Sequence, residues 1–358
     1  GVLIELADEL VLGRVIHIQR AGGNARSAGN VGHGQAAQAR LGHQLEGGLG
    51  DGTTVDSNVP VTVSGLSNDV VDIATGAYHS CALRSNGSVA CWGYNSSGQL
   101  GVGDNDNRTT PVDVINLGAA VVQLAAGGNQ TCALLADGKL KCWGAARIGD
   151  GTITSRNLPT HIVALGGTVA RVAVGTSNIC ALLVGGGIQC WGSNGAGQLG
   201  DGTTTARALP TTVPGVTNAT TVSTNGSETC VVASGGAQCW GSGIYGKLGD
   251  GVVQSINTTA QPVTGLATGV SDVRVGGNHV CALTVGGGVR CWGRNTEGQL
   301  GDGSFGVALT PTTVSNLTGA AKIAAGGFHA CSVSPAGGLK CWGRSEERRV
   351  GKECLRLC

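Results

Sequence analysis

The sequence predicts an all-β propeller built from units of about fifty residues. All six tryptophans stand in Cys-Trp-Gly triplets, at Trp92, Trp143, Trp191, Trp240, Trp292 and Trp342. Successive triplets lie 51, 48, 49, 52 and 50 residues apart, a period that marks a propeller or solenoid and not one irregular globule. Each period also holds four short strand-like runs, and four-stranded sheets set radially are propeller blades. No segment keeps a 3.6-residue apolar period over three turns, so few helices are expected.

Each unit contains a hairpin. In the first, Ser85-Asn86-Gly87 is a three-residue turn with glycine where positive φ is wanted. A hairpin closed there sets Leu83 opposite Val89 and Cys81 opposite Cys91 on one apolar face, because side chains two apart share a face. The same arithmetic pairs Cys132 with Cys142, Cys180 with Cys190, Cys281 with Cys291 and Cys331 with Cys341. The fourth unit is one residue shorter, with its turn reduced to Ser234-Gly235, yet Cys230 still faces Cys239. A deletion that preserves register is what a cross-strand constraint predicts.

Twelve of the fourteen cysteines are placed in this way. Opposed strand positions suit disulfide geometry, and a loop this short gives about 2–3 kcal/mol per bond. Reduced cysteines acting as small core hydrophobes are the alternative. Zinc is disfavoured, since the ligand spacing is too wide for a knuckle and no local second pair exists. The disulfide reading implies an oxidising compartment, either extracellular, periplasmic or at the cell surface; reduced cysteines would imply the cytoplasm.

After the hairpin comes a polar loop, clearest as Gly197-Gln198-Leu199-Gly200-Asp201-Gly202-Thr203 and as Gly298 to Ser304. It lacks the Lys-Ser/Thr of a phosphate-binding loop and no helix pattern follows, so it reads as a structural turn with Asp bonded to its own backbone. A Pro-Val strand follows, as at Pro111-Val112 and Pro262-Val263, and then a lead-in strand such as Val121 to Ala126.

Composition narrows the function. The net charge is +1 and the repeats contain no run of Lys or Arg, which disfavours nucleic acid as a partner. No apolar run reaches the length of a membrane span. The 65 glycines cluster at turns without a triplet period, which excludes a collagen-like chain. Aromatic residues are only 3%, so Val, Leu, Ile, Ala and Cys must build the core.

These residues resemble the repeats of the regulator-of-chromosome-condensation family, in its bacterial, cysteine-rich branch. The shared elements are the Gly-x-x-His step (Gly76 to His79, Gly276 to His279, Gly326 to His329), the Trp-Gly after the hairpin and the Gly-Gln-Leu-Gly loop. The resemblance covers roughly residues 45 to 343. It implies a seven-bladed propeller, of which six units are recognisable here. It also implies precedents with different functions: a guanine-nucleotide exchange factor that acts on a small GTPase and binds chromatin, and a β-lactamase inhibitor. Fold alone does not choose among them.

Three segments are expected. Residues 1–44 read as irregular or out of frame, 45–343 as propeller repeats, and 344–358 as a non-native, adapter-derived tail carrying Cys354 and Cys358. The orphan Leu49-Gly50-Asp51-Gly52-Thr53 reads as the end of a unit whose front half lies outside the repeat pattern, so the chain reads as a fragment.

No catalytic set is visible. His79, His279 and His329 share a repeat position with Gln130, Asn178 and Glu228; a general base would not be interchangeable with amides, so structural hydrogen bonding is expected there. Asp104-Asn105-Asp106-Asn107 offers oxygen ligands but lacks the twelfth-position Glu of a calcium hand. No cofactor or metal is expected. The expected function is therefore non-enzymatic: a monomeric, disulfide-stapled scaffold binding a protein or surface ligand through its loops. The segments around Asn95, Asn194, Tyr245 and Arg294 are the candidate contacts. The alternatives are an exchange-factor-like regulator of a small GTPase and a β-lactamase-inhibitor-like binder.

Overall fold

A computed structural model describes residues 47–344, apart from 56, 58, 59, 67 and 254, together with the backbone of 17–21 and 24–26. Five sheets have four antiparallel strands in chain order. Blade 1 is Val70–Thr75, His79–Arg84, Val89–Gly93 and Arg108–Asp113; blade 2 is Val121–Gly127, Gln130–Leu135, Leu140–Gly144 and Arg156–His161. Blade 3 is Val169–Val174, Asn178–Leu183, Ile188–Gly192 and Arg207–Thr212; blade 4 is Ala219–Thr224, Glu228–Ala233, Gly236–Ser242 and Ile256–Pro262. Blade 5 is Val270–Val275, His279–Thr284, Val289–Gly293 and Ala308–Thr313. Blade 6 has three strands, Lys322–Ala325, His329–Val333 and Leu339–Gly343, where the repeat leads one to expect four. First strands of successive blades pack side by side. The fold is thus an all-β propeller of six cysteine-bearing blades, and its single helical element among the described residues is the 3-10 turn Ile244–Gly246.

A further sheet joins Asn24–Arg26, His17–Ala21 and Val61–Thr62. The first two strands fall within the segment read as irregular; otherwise residues 1–44 and 345–358, with Cys354 and Cys358, lie outside the described residues.

The hairpin registers are Leu83↔Val89 and Cys81↔Cys91 in blade 1, and Cys230↔Cys239 across the shortened turn of blade 4. That turn has φ of 51° at Ser234 and 77° at Gly235, the double positive φ that lets two residues close a hairpin. The fourth strands carry Pro111, Pro159, Pro210, Pro262 and Pro311. Proline cannot donate to a ladder, so it belongs on an edge strand.

Alternation along the third strand divides the work of Cys and Trp. Being adjacent, they point to opposite faces of the blade. The cystine of blade 1 packs toward blade 2, in a core with Leu124, Ala133 and Trp143. Trp92 points the other way, into a core with Leu49 and Val63. The pattern repeats around the ring, with Cys132 and Cys142 beside Trp191 and Cys180 and Cys190 beside Trp240. Each indole also donates Nε1–H to a loop carbonyl of the preceding unit: Trp143 to Gln99, Trp191 to Ile148, Trp240 to Gln198 and Trp292 to Lys247, at 2.7–2.9 Å. Trp92, Trp143, Trp191, Trp240 and Trp292 are fully buried. A buried aromatic removes on the order of 150–250 Å² from water, about 4–6 kcal/mol at ~25 cal/mol per Å², and here that burial is what joins one blade to the next.

The glycine after each tryptophan is dictated by the same geometry. Gly93 has φ of +102°, and a Cβ there would lie 2.5 Å from the carbonyl oxygen of Tyr78. That close approach lets the Tyr94 amide donate to the same carbonyl at 2.9 Å and ties two loops of the blade together.

Candidate functional site

An up-down meander puts the loop between strands one and two and the loop between strands three and four at the same end of every blade. These loops form one face of the propeller. The hairpin turns and the inter-blade connections form the other. The chain has three tyrosines and two phenylalanines, and Tyr78, Tyr94, Tyr245, Phe305 and Phe328 all lie in loops of the first face. The hairpin turns of the second face are built from Ser, Asn, Ala, Asp, Lys, Val, Pro and Gly and carry no aromatic residue.

Beneath the first face runs a ring of buried polar residues at the repeat position of the Gly-x-x-His step. The imidazole folds over the glycine three residues earlier, so a Cβ at Gly76 would collide with the His79 ring. His79 Nε2 meets Thr131 Oγ1 of the next blade at 2.8 Å, and Asn178 donates to Thr224 Oγ1 at 2.8 Å. Gln130 instead donates to the carbonyls of Ala145 and Ala146. This is structural bonding between and within blades. His279 is different, since neither ring nitrogen has a hydrogen-bond partner among the described residues. Burial pushes the His79 imidazole down to about 4. Burial, helped by the nearby His329 and Lys247, pushes His279 down to about 3.

In blade 4 the ring position is Glu228, and Lys247 stands where the loops of blades 1, 3 and 5 have Gln99, Gln198 and Gln299. Lys247 Nζ donates to Glu228 Oε2 at 2.6 Å with both side chains buried. Ser227 Oγ donates to the same oxygen at 2.6 Å. Burial pushes the Glu228 carboxyl up, and Lys247 and Ser227 oppose that rise.

Above this pair the structure brings Tyr245 and Arg294 together. The Arg294 guanidinium carbon lies 5.6 Å from the Tyr245 ring centre and 5.5 Å from that of Phe328. Arg344 lies 5.6 Å from the other contact of this series, the Phe328 ring. The row Tyr245, Arg294, Phe328, Arg344 therefore crosses blades 4, 5 and 6. Arg294 Nε donates to Thr296 Oγ1 at 2.8 Å. Tyr245 itself sits at φ of 64°. On blade 1, Tyr78 and Tyr94 make an edge-to-face pair at 6.2 Å.

Asn95 and Asn194 do not present their side chains to this surface. Both are buried. Asn95 Oδ1 accepts from Leu100 N at 2.9 Å while its Nδ2 donates to the Asp104 carbonyl at 3.0 Å. Asn194 makes the same pair of bonds with Leu199 N and the Thr203 carbonyl, and Asn295 with Leu300 N and the Ser304 carbonyl. The amide is an internal brace of the Gly-Gln-Leu-Gly loop, and the exposed positions beside it include Ser96. The loop aspartates are similarly occupied. Asp201 accepts from Thr203 N and pairs with Arg207 at 2.7 Å. Burial works against ionisation of that carboxyl, but the Thr203 and Arg207 contacts outweigh it and hold it below the usual range. Asp104 is taken by Arg108 at 2.6 Å. Among the described residues no three His, Cys, Asp or Glu side chains converge as a metal set, and no helix is long and apolar enough to cross a membrane.

The twelve repeat cysteines form six disulfides, Cys81–Cys91, Cys132–Cys142, Cys180–Cys190, Cys230–Cys239, Cys281–Cys291 and Cys331–Cys341. Their Cα separations of 4.0–4.1 Å are those of closely spaced, non-hydrogen-bonded strand pairs.

Sequence similarity is concentrated in part of the chain. The Arabidopsis thaliana Ultraviolet-B receptor UVR8 is 35% identical over 106 residues, which are 29% of this chain and 24% of that protein. The human probable E3 ubiquitin-protein ligase HERC4 is 37% identical over 94 residues, 25% of this chain and 9% of the ligase. The matches thus span a quarter or less of these relatives. Among solved structures, human WBSCR16 aligns at a TM-score of 0.67 with 26% identity, over 76% of this chain and 75% of that one. Prp20p from Saccharomyces cerevisiae, described with its binding properties to Gsp1p and histones, aligns at 0.72 with 21% identity, over 92% of this chain and 85% of that one. The latter likeness is one of fold. The family described as the RCC1-like domain matches residues 31–355. Spread over most of the sequence and consistent with its blades, that match means that the chain belongs to the RCC1-like domain family.

Proposed function

We propose that this protein is a non-enzymatic interaction domain, a disulfide-stapled monomer that binds a protein through the face carrying the loops after strands one and three. One observation carries the reading: all five Tyr and Phe residues of an aromatic-poor chain lie in the loops of that face. Tyr and Arg are the residue types that dominate binding hot spots. The core does not require these rings, because the buried aromatics are the tryptophans. Six cystines support action in an oxidising compartment. They weigh against exchange on a cytosolic GTPase and leave a secreted inhibitor-like binder as the nearer alternative.

Two positions of blade 5 test the choice of face. Phe305 is 69% exposed on the loop face and Val285 is 76% exposed on the hairpin-turn face. A photo-crosslinking amino acid at Phe305 is expected to capture a partner from extracts or culture medium of the source cells, while the same group at Val285 captures none. Adducts from Val285 alone would overturn the reading.

A further inference from the structure

Among the described residues, Arg294 is held in place without a counter-charge. Its Nε is engaged by Thr296, and its guanidinium lies against Tyr245 and Phe328, but no carboxylate of the described residues comes within 4.0 Å of it. Its Nη1 and Nη2 donors have no acceptor among the described residues. The neighbouring loops show what this chain does with an arginine that serves structure: Arg108, Arg156 and Arg207 each reach an aspartate of their own loop at 2.6–2.7 Å. The loop of blade 5 has such an aspartate in Asp302, yet Ala308 stands at the strand start where Arg108 and Arg207 stand in their blades. Asp302 keeps the bonds to Asn295 and Ser304 that Asp201 makes with Asn194 and Thr203, and lacks the arginine contact. In this loop an arginine stands at the surface position after Cys-Trp-Gly.

An arginine fork fits a carboxylate through two parallel N–H···O bonds. Stacking on rings fixes the fork beforehand, so less side-chain freedom is lost when the bonds form. We infer that Arg294, braced by Tyr245 and Phe328, is the anchor for a carboxylate side chain on an acidic segment of a partner protein. This rests on the loop-face reading and names the partner's chemistry. Phe328 and Tyr245 then offer apolar surface to the residues that flank the bound carboxylate.

The test uses the full chain and two fluorescein-labelled peptides, one alternating Glu and Gly and the other alternating Gln and Gly, followed by fluorescence anisotropy. The Glu peptide is expected to bind, more weakly as salt rises, and the Gln peptide to bind at least about tenfold more weakly. Arg294→Ala is expected to weaken the Glu peptide about tenfold, and Arg294→Lys about threefold, because lysine keeps the charge and loses the fork. Unchanged thermal unfolding of both variants would show that the loss is not one of folding. Equal binding of the two peptides, no binding of either, or full retention in Arg294→Ala would overturn the inference. So would displacement by free glutamate at equal carboxylate concentration, which would mark a simple anion site. In each of those cases a crosslink from Phe305 would still support the loop-face reading, whereas a crosslink from Val285 alone would remove both.

Discussion

Lys247 and Arg294 stand in loops of neighbouring blades on one face of the propeller, and their surroundings use the same charge in opposite ways. Lys247 is buried, 2.6 Å from Glu228, and its backbone carbonyl accepts from Trp292. Arg294 is half-buried between two rings with no carboxylate beside it among the described residues. The difference teaches that place in the loop and partner across the blade act together: Lys247 holds the inward Gln position of its loop, opposite Glu228, and Arg294 holds the surface position after Cys-Trp-Gly. Where the ring position supplies an acid, the cation becomes part of the interior. Where it supplies His279, the matching loop position is the neutral Gln299, and the cation of that loop sits at the surface position after Cys-Trp-Gly.

The sharpest way to break this comparison is to remove each cation in turn. Lys247→Ala leaves Glu228 buried without its partner and is expected to lower unfolding free energy by about 3–5 kcal/mol. Arg294→Ala is expected to change it by under about 0.5 kcal/mol. Replacing the pair together, as Glu228→His with Lys247→Gln, restores the residues of blades 1 and 5 and is expected to return stability to within about 1 kcal/mol of the parent. Denaturant titration of the four proteins reads all of these. Equal losses from Lys247→Ala and Arg294→Ala would erase the distinction.

A smaller effect sharpens the contrast between ring and surface. His79 is buried neutral, its pKa lowered from 6.5 to about 4. Between those values the unfolded chain binds the proton and the folded chain does not, so this contribution is fully present above about pH 6.5 and falls away toward pH 4. The loss is on the order of 3 kcal/mol over that window. The loop aspartates Asp104, Asp150, Asp201 and Asp302 are all held below 3.8, so their contribution is lost only below that value. Stability measured from about pH 7.5 to about pH 4.5 should therefore fall in the parent and fall less in His79→Gln, which places at blade 1 the residue that blade 2 already uses. Parallel profiles would contradict the assignment to His79.

Much of the blade was legible in the sequence because it rests on local parity. The turn at Ser85-Asn86-Gly87 sets which residues face each other, and the shortened turn at Ser234-Gly235 keeps the same pairing by losing one residue from the loop. The Pro-Val segment at Pro111 was read as a strand, and its place at the outer edge follows from the ladder that proline cannot join. Contacts between blades were not legible in this way. The direction of Trp143 toward Gln99, 44 positions earlier, depends on how one sheet stacks upon the last. Asn95 and Asn194 read as surface contacts because they sit in polar loops, yet each loop folds around its asparagine. The Glu228–Lys247 pair was missed although a signal existed, since this unit departs from the repeat at both the His and the Gln position with residues of opposite charge. Two coupled departures in one unit point to an interaction that neither shows alone. Tyr245, Arg294 and Phe328 come from three different units, and the side-by-side packing of successive blades brings them into one row.

Both cations depend on a framework in which each blade is closed by a cystine. The direct measurement is a thiol titration of the denatured chain, carried out before and after reduction. The account predicts that none of the twelve repeat cysteines reacts before reduction and that all of them react afterwards, with peptide mapping placing the bonds between Cys81 and Cys91 and between their counterparts in the other five blades. Repeat cysteines that react in the unreduced chain, or bonds mapped between different blades, would contradict it.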